Sequence, residues 1–451
     1  MTSLHDQGSG QLSNGFKPRH VTMLSIAGII GAGLFVGSGH AIAASGPAVI
    51  LAYLAAGTLV VLVMRMLGEM AVANPDTGSF STYAEKAIGP WAGFTIGWLY
   101  WWFWVLVVPI EALAAGHILN QWFPFIDTWV IALASVVLLS ITNLFGVEKY
   151  GEFEFWFALL KVTAIVLFIG FGAAALMGWL PLHEGAGLIN LMNEHGGFAP
   201  NGMSAVVGAF ITIMFSFIGT ESVTIAAAES GEPSRNIAKA TRSVIWRIGV
   251  FYLLSILVVI SVGSYQRALE LLQVPHAKLL VDLVVLVAVT SCMNSSIYIA
   301  SRMLYSLARR GDAPKGAAKT SANGVPRRAV LATAAVGAFI AALNHFAPAS
   351  LFDFLLSSSG AVALLVYLAI AISQLRMRRL HGDALTFKMW LFPWATYAVI
   401  LFICAALAVL LFTPEHRAEA TSTLCLALGV SLLGIITCRR RNSLTAAQSA
   451  Y

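Results

Sequence analysis

Charge is what this sequence has least of. Asp, Glu, Lys and Arg make up only 11% of its 451 residues, against 58% hydrophobic residues. Soluble domains carry about a quarter charged residues, so a water-soluble globular protein is excluded. Cysteine is scarce as well. Cys292, Cys404, Cys425 and Cys438 fall on or at the ends of apolar segments without paired spacing, which indicates neither a disulfide framework nor a metal site. The ten histidines are scattered and no catalytic cluster appears, so an enzyme is not expected and no cofactor is implied. The first twenty residues are polar and lack a short apolar core followed by a small-residue cleavage site. No removable signal peptide is expected, and the first apolar segment should direct insertion itself.

What the chain does have is apolar runs long enough to span a bilayer, recurring along its whole length. Twelve spans are predicted, near residues 20–40, 47–72, 91–119, 126–146, 154–178, 202–226, 242–262, 276–308, 327–347, 350–375, 388–412 and 418–438. With that placement, 22 of the 27 Lys and Arg lie on one side, in loops or near the ends of spans. The other side holds only Arg267, Lys278 and Arg417, while Arg65 and Lys161 lie inside spans. The net charge of +6 therefore follows membrane topology rather than a nucleic-acid surface, and the positive-inside rule puts both termini in the cytoplasm.

Inside the first span lies a glycine-rich run, Gly28, Ile29, Ile30, Gly31, Ala32, Gly33, Leu34, Phe35, Val36 and Gly37. Each glycine costs about 1 kcal/mol in a helix interior relative to alanine, and unwound backbone is tolerated at membrane depth only where it lines a cavity or is buried in protein. A binding site built from bare peptide groups is predicted there. The sixth span mirrors it: Phe215, Ser216, Phe217, Ile218, Gly219, Thr220 and Glu221 put small, polar and acidic residues mid-segment, with Glu229 two turns later. A carboxylate at the centre of a span costs about 2.5 to 3.5 kcal/mol on an insertion scale, so Glu221 reads as functional, with a structural hydrogen-bond anchor as the alternative. Interrupted spans one and six fit two inverted five-helix repeats.

Other polar residues sit in apolar surroundings. Arg65 and Glu69 are spaced i, i+4 and are expected to neutralise one another. Pro109 is expected to kink the third span, and Glu111 follows it with no adjacent cation. The aromatics Trp98, Trp101, Trp102 and Trp104 of that span read as membrane packing or an interface belt. Lys161 is open to two readings: proton binding in place of a coupling metal ion, or a snorkelling side chain or buried pair. On the eighth span and its extension, Tyr298, Ser301, Arg302, Tyr305, Arg309 and Arg310 recur at helical spacing. They line an exit path or form an interfacial helix holding lipid headgroups. The tail after Arg441 reads as disordered.

Several stretches carry a resemblance. RHVTMLSIAG from Arg19, RMLGEMAVANPDTGSFSTYAEKAIG from Arg65, GWLYWWFWVLVVPIEA from Gly97, MFSFIGTESVTIAAAES from Met214 and SCMNSSIYIASRMLYSLARRGDAP from Ser291 resemble the amino acid permeases of the amino acid, polyamine and organocation superfamily. The similarity covers roughly residues 17 to 440, and Val108, Pro109, Ile110 and Glu111 look more like the bacterial GABA (4-aminobutyrate) permeases than the aromatic amino acid permeases.

The resemblance implies an all-α integral membrane protein of LeuT-like fold. Residues 1–19 would form an N-terminal cytoplasmic tail, 20–178 the first five-helix repeat, 202–375 the second, 388–438 two peripheral helices and 439–451 a cytoplasmic tail. It implies uptake of GABA and related amino acids across the bacterial inner membrane by alternating access and proton symport. A different amino acid or an exchanger is the alternative. The partners are the amino acid, protons and the bilayer, with no nucleic acid, and the protein is monomeric. By motif match, Gly31, Ala32 and Gly33 would bind the substrate carboxylate through backbone amides. Phe215, Ser216 and Gly219 would offer carbonyls toward the amine, with Phe217 as a gate; Glu221 would serve binding or coupling, and Lys161 proton coupling. Glu111, Tyr298, Arg302 and Tyr305 are expected to act in helix packing or gating. One departure stands out: after the seventh span, Val262 passes directly to Gly263, Ser264 and Tyr265, where the family carries a longer external segment, and impaired uptake is expected from it.

Overall fold

The computed structural model describes residues 12, 16–27, 30–177, 179, 197–262, 277–343, 345–346, 348–381, 385–413 and 417–448. The shortened segment after Val262 lies outside them, as do Gly28 and Ile29 of the glycine run. The described residues are all-helical. In chain order the α-helices are α1 (Pro18–Ala27), α2 (Ser38–Ser45), α3 (Val49–Ala73), α4 (Ser79–Ala87), α5 (Pro90–Trp122), α6 (Thr128–Asn143), α7 (Val147–Leu176) and α8 (Gly202–Phe217). There follow α9 (Ser222–Ala228), α10 (Pro233–Arg247), α11 (Ser255–Val262), α12 (Ala277–Arg310), α13 (Arg327–Leu343), α14 (Pro348–His381), α15 (Trp394–Phe412) and α16 (Arg417–Gln448).

Nine helical stretches among the described residues are long and apolar enough to cross a membrane, against the twelve spans expected. The difference has physical causes. The first span is broken after Ala27, and what remains of it continues through a tight 3₁₀ turn at Gly46–Ala48 into α3, so Gly33–Ala73 reads as one stretch. Helices α6 and α13 are 16 and 17 residues long. At 1.5 Å per residue they reach only about 24 to 26 Å, short of a hydrocarbon core of about 30 Å.

Helix α5 is the hub of the bundle, packing against α4, α6, α12, α13, α14 and α16. Its surface permits close approach: a Cβ at Gly97 would stand 2.6 Å from Leu307 Cδ2 on α12. Small residues at such crossings let helices meet in lipid, where apolar burial no longer drives association. The helix runs through Pro109 as one continuous element. Its tryptophans are largely structural: Trp98 Nε1 donates to Asp312 O at 3.1 Å and Trp101 Nε1 to Thr333 Oγ1 at 3.2 Å.

Two expectations are corrected. Arg65 and Glu69 do not pair with each other, because α14 and the segment after it supply them with better partners. Arg65 Nε donates to Lys388 O at 2.7 Å with its guanidinium over the Phe387 ring, while Glu69 accepts from Arg378 at 2.7 Å, from Gln374 at 3.0 Å and from the Met389 amide. The described residues after Arg441 are helical rather than irregular: α16 continues to Gln448, in keeping with the helix formers Leu444, Ala446, Ala447 and Gln448.

Candidate substrate site

Two helix interruptions face each other in the interior. At the first, α1 stops at Ala27, Ile30 and Gly31 lie outside any helix, and a wide π turn over Gly33–Gly37 leads into α2. At the second, α8 ends at Phe217, Ile218 is extended, and Gly219 has a φ of +99°, a left-handed geometry that glycine alone adopts without strain. Helix α9 then starts at Ser222. Breaking a helix releases N–H and C=O groups that must find partners elsewhere.

The interruptions are clamped together. Ser216 Oγ donates to Gly33 O at 2.6 Å, and a Cβ on Gly33 would stand 2.8 Å from the Ser216 Cα. Tyr252 OH donates to Ser216 O at 2.8 Å. Glu111, buried on α5, reaches the first interruption and accepts the Ala32 N–H with both carboxylate oxygens, at 2.9 and 3.1 Å. Gly31 admits it, since a Cβ there would lie 2.5 Å from Glu111 Oε1. Between the interruptions is a cavity of about 10 Å3 lined by Gly33, Phe103, Trp104, Glu111, Phe215 and Cys292 among others. That is room for about one water, so the space is closed around the Glu111 carboxylate.

Glu221 closes the second interruption in a parallel way. It accepts from Gly219 N–H at 2.9 Å, Tyr100 OH at 2.9 Å and Tyr367 OH at 3.1 Å, and it is fully buried. Beside the first interruption, Lys161 Nζ donates to Ile30 O at 3.2 Å and to Ser291 Oγ at 2.8 Å, and Ser291 in turn donates to Glu154. Glu154 is the first residue of the fifth predicted span and was not singled out from the sequence as a core residue. The signal was the spacing of Glu154 and Lys161, two helical turns apart and hence on one face of α7.

Phe217 requires a correction. It packs away from the cavity, stacked on Tyr252 with ring centroids 4.6 Å apart and edge-on to Tyr53. Two residues apart on a helix point to nearly opposite sides, so it is Phe215 that lines the cavity. Tyr298 and Arg302 lie farther off, on the arginine-rich side. Tyr298 OH donates to Glu229 Oε1 at 2.8 Å, Arg302 Nε contacts the same oxygen at 3.4 Å, and the Tyr298 ring is held between Tyr150, at 4.4 Å, and the Arg302 guanidinium, at 3.8 Å. Tyr305 sits beyond this plug, lining a wider cavity of about 430 Å3 with Asp76, Glu229, Arg309 and Arg310.

A helical bundle with apposed interruptions, each holding a carboxylate on a backbone amide, is the architecture of a membrane carrier for small charged solutes. The chain belongs to the amino acid permease family, whose profile, described as "Amino acid permease", matches residues 20–440. It is 64% identical to a protein described as a probable GABA permease from Pseudomonas aeruginosa, over 98% of this chain and 96% of that protein. It is 56% identical to the gamma-aminobutyric acid permease of Escherichia coli, over 93% of each, and 46% identical to that of Bacillus subtilis, over 97% of this chain and 96% of the other.

Proposed function

We propose that the protein imports GABA and related amino acids across the bacterial inner membrane by proton symport and alternating access. The observation that carries this reading is the Ala32 N–H, a backbone amide freed by the helix interruption and bonded to a carboxylate. An amide that donates to the Glu111 carboxylate has the chemistry to donate to a substrate carboxylate, and Gly31 and Gly33 flank it without side chains in the way. The GABA permeases among its relatives support the choice of substrate.

The fold we propose is LeuT-like, with 20–178 and 202–375 as inverted repeats, 388–438 as two peripheral helices, and the tails at 1–19 and 439–451 in the cytoplasm. The protein acts as a monomer. The plug of Tyr298, Glu229 and Arg302 on the arginine-rich side then closes the inner path, and the carrier opens inward when it parts. Proton coupling is supported by a charge count beside the first interruption. Two carboxylates, Glu111 and Glu154, act on one ammonium, Lys161, so one negative charge is left for a proton to balance. An inward proton gains about 2.3 kcal/mol per 100 mV of membrane potential, enough to concentrate a zwitterion. Glu221 has all its hydrogen bonds within the protein and serves here to hold the second interruption rather than the substrate.

Proteoliposomes test the reading directly. Labelled GABA should accumulate under an inward proton gradient, and unlabelled GABA should compete while phenylalanine and lysine should not. Accumulation that needs internal substrate and ignores the gradient would make the protein an exchanger; competition by another amino acid ahead of GABA would move the substrate.

A further inference from the structure

This inference rests on the import of an amino acid proposed above, and concerns the amine end of the substrate. Glu111 has both oxygens on the Ala32 N–H. One N–H cannot serve two carboxylates in a cavity of about 10 Å3, so a substrate carboxylate that takes this amide displaces Glu111. The displaced group remains within a buried pocket, where an unpaired charge is costly.

The surroundings offer it little. Lys161, whose charge Glu111 shares with Glu154, has two of its three N–H groups on Ile30 O and Ser291. Cys292, which hydrogen-bonds Glu111, and Tyr252 beside it bring no positive charge. The lining of the cavity holds no cation and, apart from Glu111, no carboxylate. At the second interruption two carbonyls that could take an arriving ammonium are already engaged: Ser216 O accepts from Tyr252 and Gly219 O from Ser222 Oγ. The unmet needs of the two groups match. The geometry points to Glu111 as the contact for the substrate ammonium: the substrate carboxylate replaces Glu111 on Ala32 N–H, and Glu111 replaces that N–H with the ammonium.

This exchange makes the amine obligatory. A plain carboxylate such as butyrate displaces Glu111 and gives it nothing in return. Sites that would leave a buried polar group unpaired reject the analogue lacking its partner by about 10⁴-fold, so discrimination here should be large. Glu111 is thus a specificity-determining residue, selecting ω-amino acids over the corresponding fatty acids.

The test is direct binding of labelled GABA and labelled butyrate to purified protein, with thermal melting to establish that each variant is folded. Wild type should prefer GABA by about 100-fold or more. Glu111→Gln keeps an acceptor for Ala32 N–H but no charge, so GABA should weaken, butyrate should bind at least as well as to wild type, and the preference should fall by about tenfold or more. Glu111→Asp keeps the charge and should keep the preference even where GABA binds less tightly. A folded Glu111→Gln protein with the wild-type preference overturns the assignment, and so does a folded Glu111→Asp protein that has lost it; the second result decides if the first variant does not fold. Wild-type protein that is folded and binds neither GABA nor butyrate overturns the substrate reading itself, a distinct outcome.

Discussion

The two helix interruptions solve one problem in different ways. Each frees a backbone N–H deep in the bundle, and each gives that N–H to a buried glutamate. At the second, Glu221 comes from the same segment, two residues beyond Gly219, and carries two tyrosine hydroxyls as well. At the first, Glu111 comes from another helix, holds the single amide of Ala32, and faces a cavity. A local carboxylate with three donors is a fixed cap. A remote carboxylate with one backbone partner is replaceable. On the proposed reading, that difference puts ligand exchange at the first interruption, against a second that stays closed.

Removing the fixed cap should have the largest effect. Glu221→Ala strands the Tyr100 and Tyr367 hydroxyls and the Gly219 amide in the interior. At about 1 to 3 kcal/mol per unsatisfied group, stability should fall by about 3 kcal/mol or more, read as a lower melting temperature and a poor yield of folded protein. Glu111→Ala strands one amide and should cost about 1 to 3 kcal/mol. Equal destabilisation by the two would erase the proposed distinction.

Next comes the clamp between the interruptions. Gly33→Ala sets a methyl group 2.8 Å from a backbone carbon of α8, and overpacking of this kind costs about 1 to 3 kcal/mol. Uptake should be lost, since the two halves of the site are forced apart, while the protein still folds. Normal uptake by this variant would mean that the closeness of Gly33 and Ser216 is incidental.

Lys161→Ala should act on coupling more than on binding. It removes the donor to Ile30 O and the cation on which Glu111 and Glu154 both act. Accumulation driven by a proton gradient should collapse, with GABA counterflow retained. Full gradient-driven accumulation would take Lys161 out of the coupling path. The smallest effect expected is that of Tyr367→Phe, which removes one of three donors to Glu221 and should cost about 1 kcal/mol with uptake nearly unchanged.

Much of this arrangement was legible in the sequence. The glycine run and the Phe215–Glu221 stretch announced the interruptions, because small and charged residues are too costly at mid-membrane to be incidental. What was not legible is which remote side chain meets which break. Nothing in the order of residues joins Glu111 to Ala32, 79 positions away, or Tyr367 to Glu221, 146 positions away. Local spacing also misled: Arg65 and Glu69 stand where an i, i+4 pair would form, yet the segment at Phe387–Met389 satisfies them separately. The motif match put both Phe215 and Phe217 at the site, whereas two positions apart on a helix they face opposite ways, and only Phe215 lines the cavity.

The central claim, that the first interruption exchanges one carboxylate for another, is tested most directly by determining the structure with GABA bound. The account predicts the GABA carboxylate within hydrogen-bond distance of the Ala32 nitrogen, Glu111 moved from that nitrogen to the GABA ammonium, and Glu221 still held by Gly219, Tyr100 and Tyr367. GABA bound elsewhere, with Glu111 still on Ala32, would contradict it.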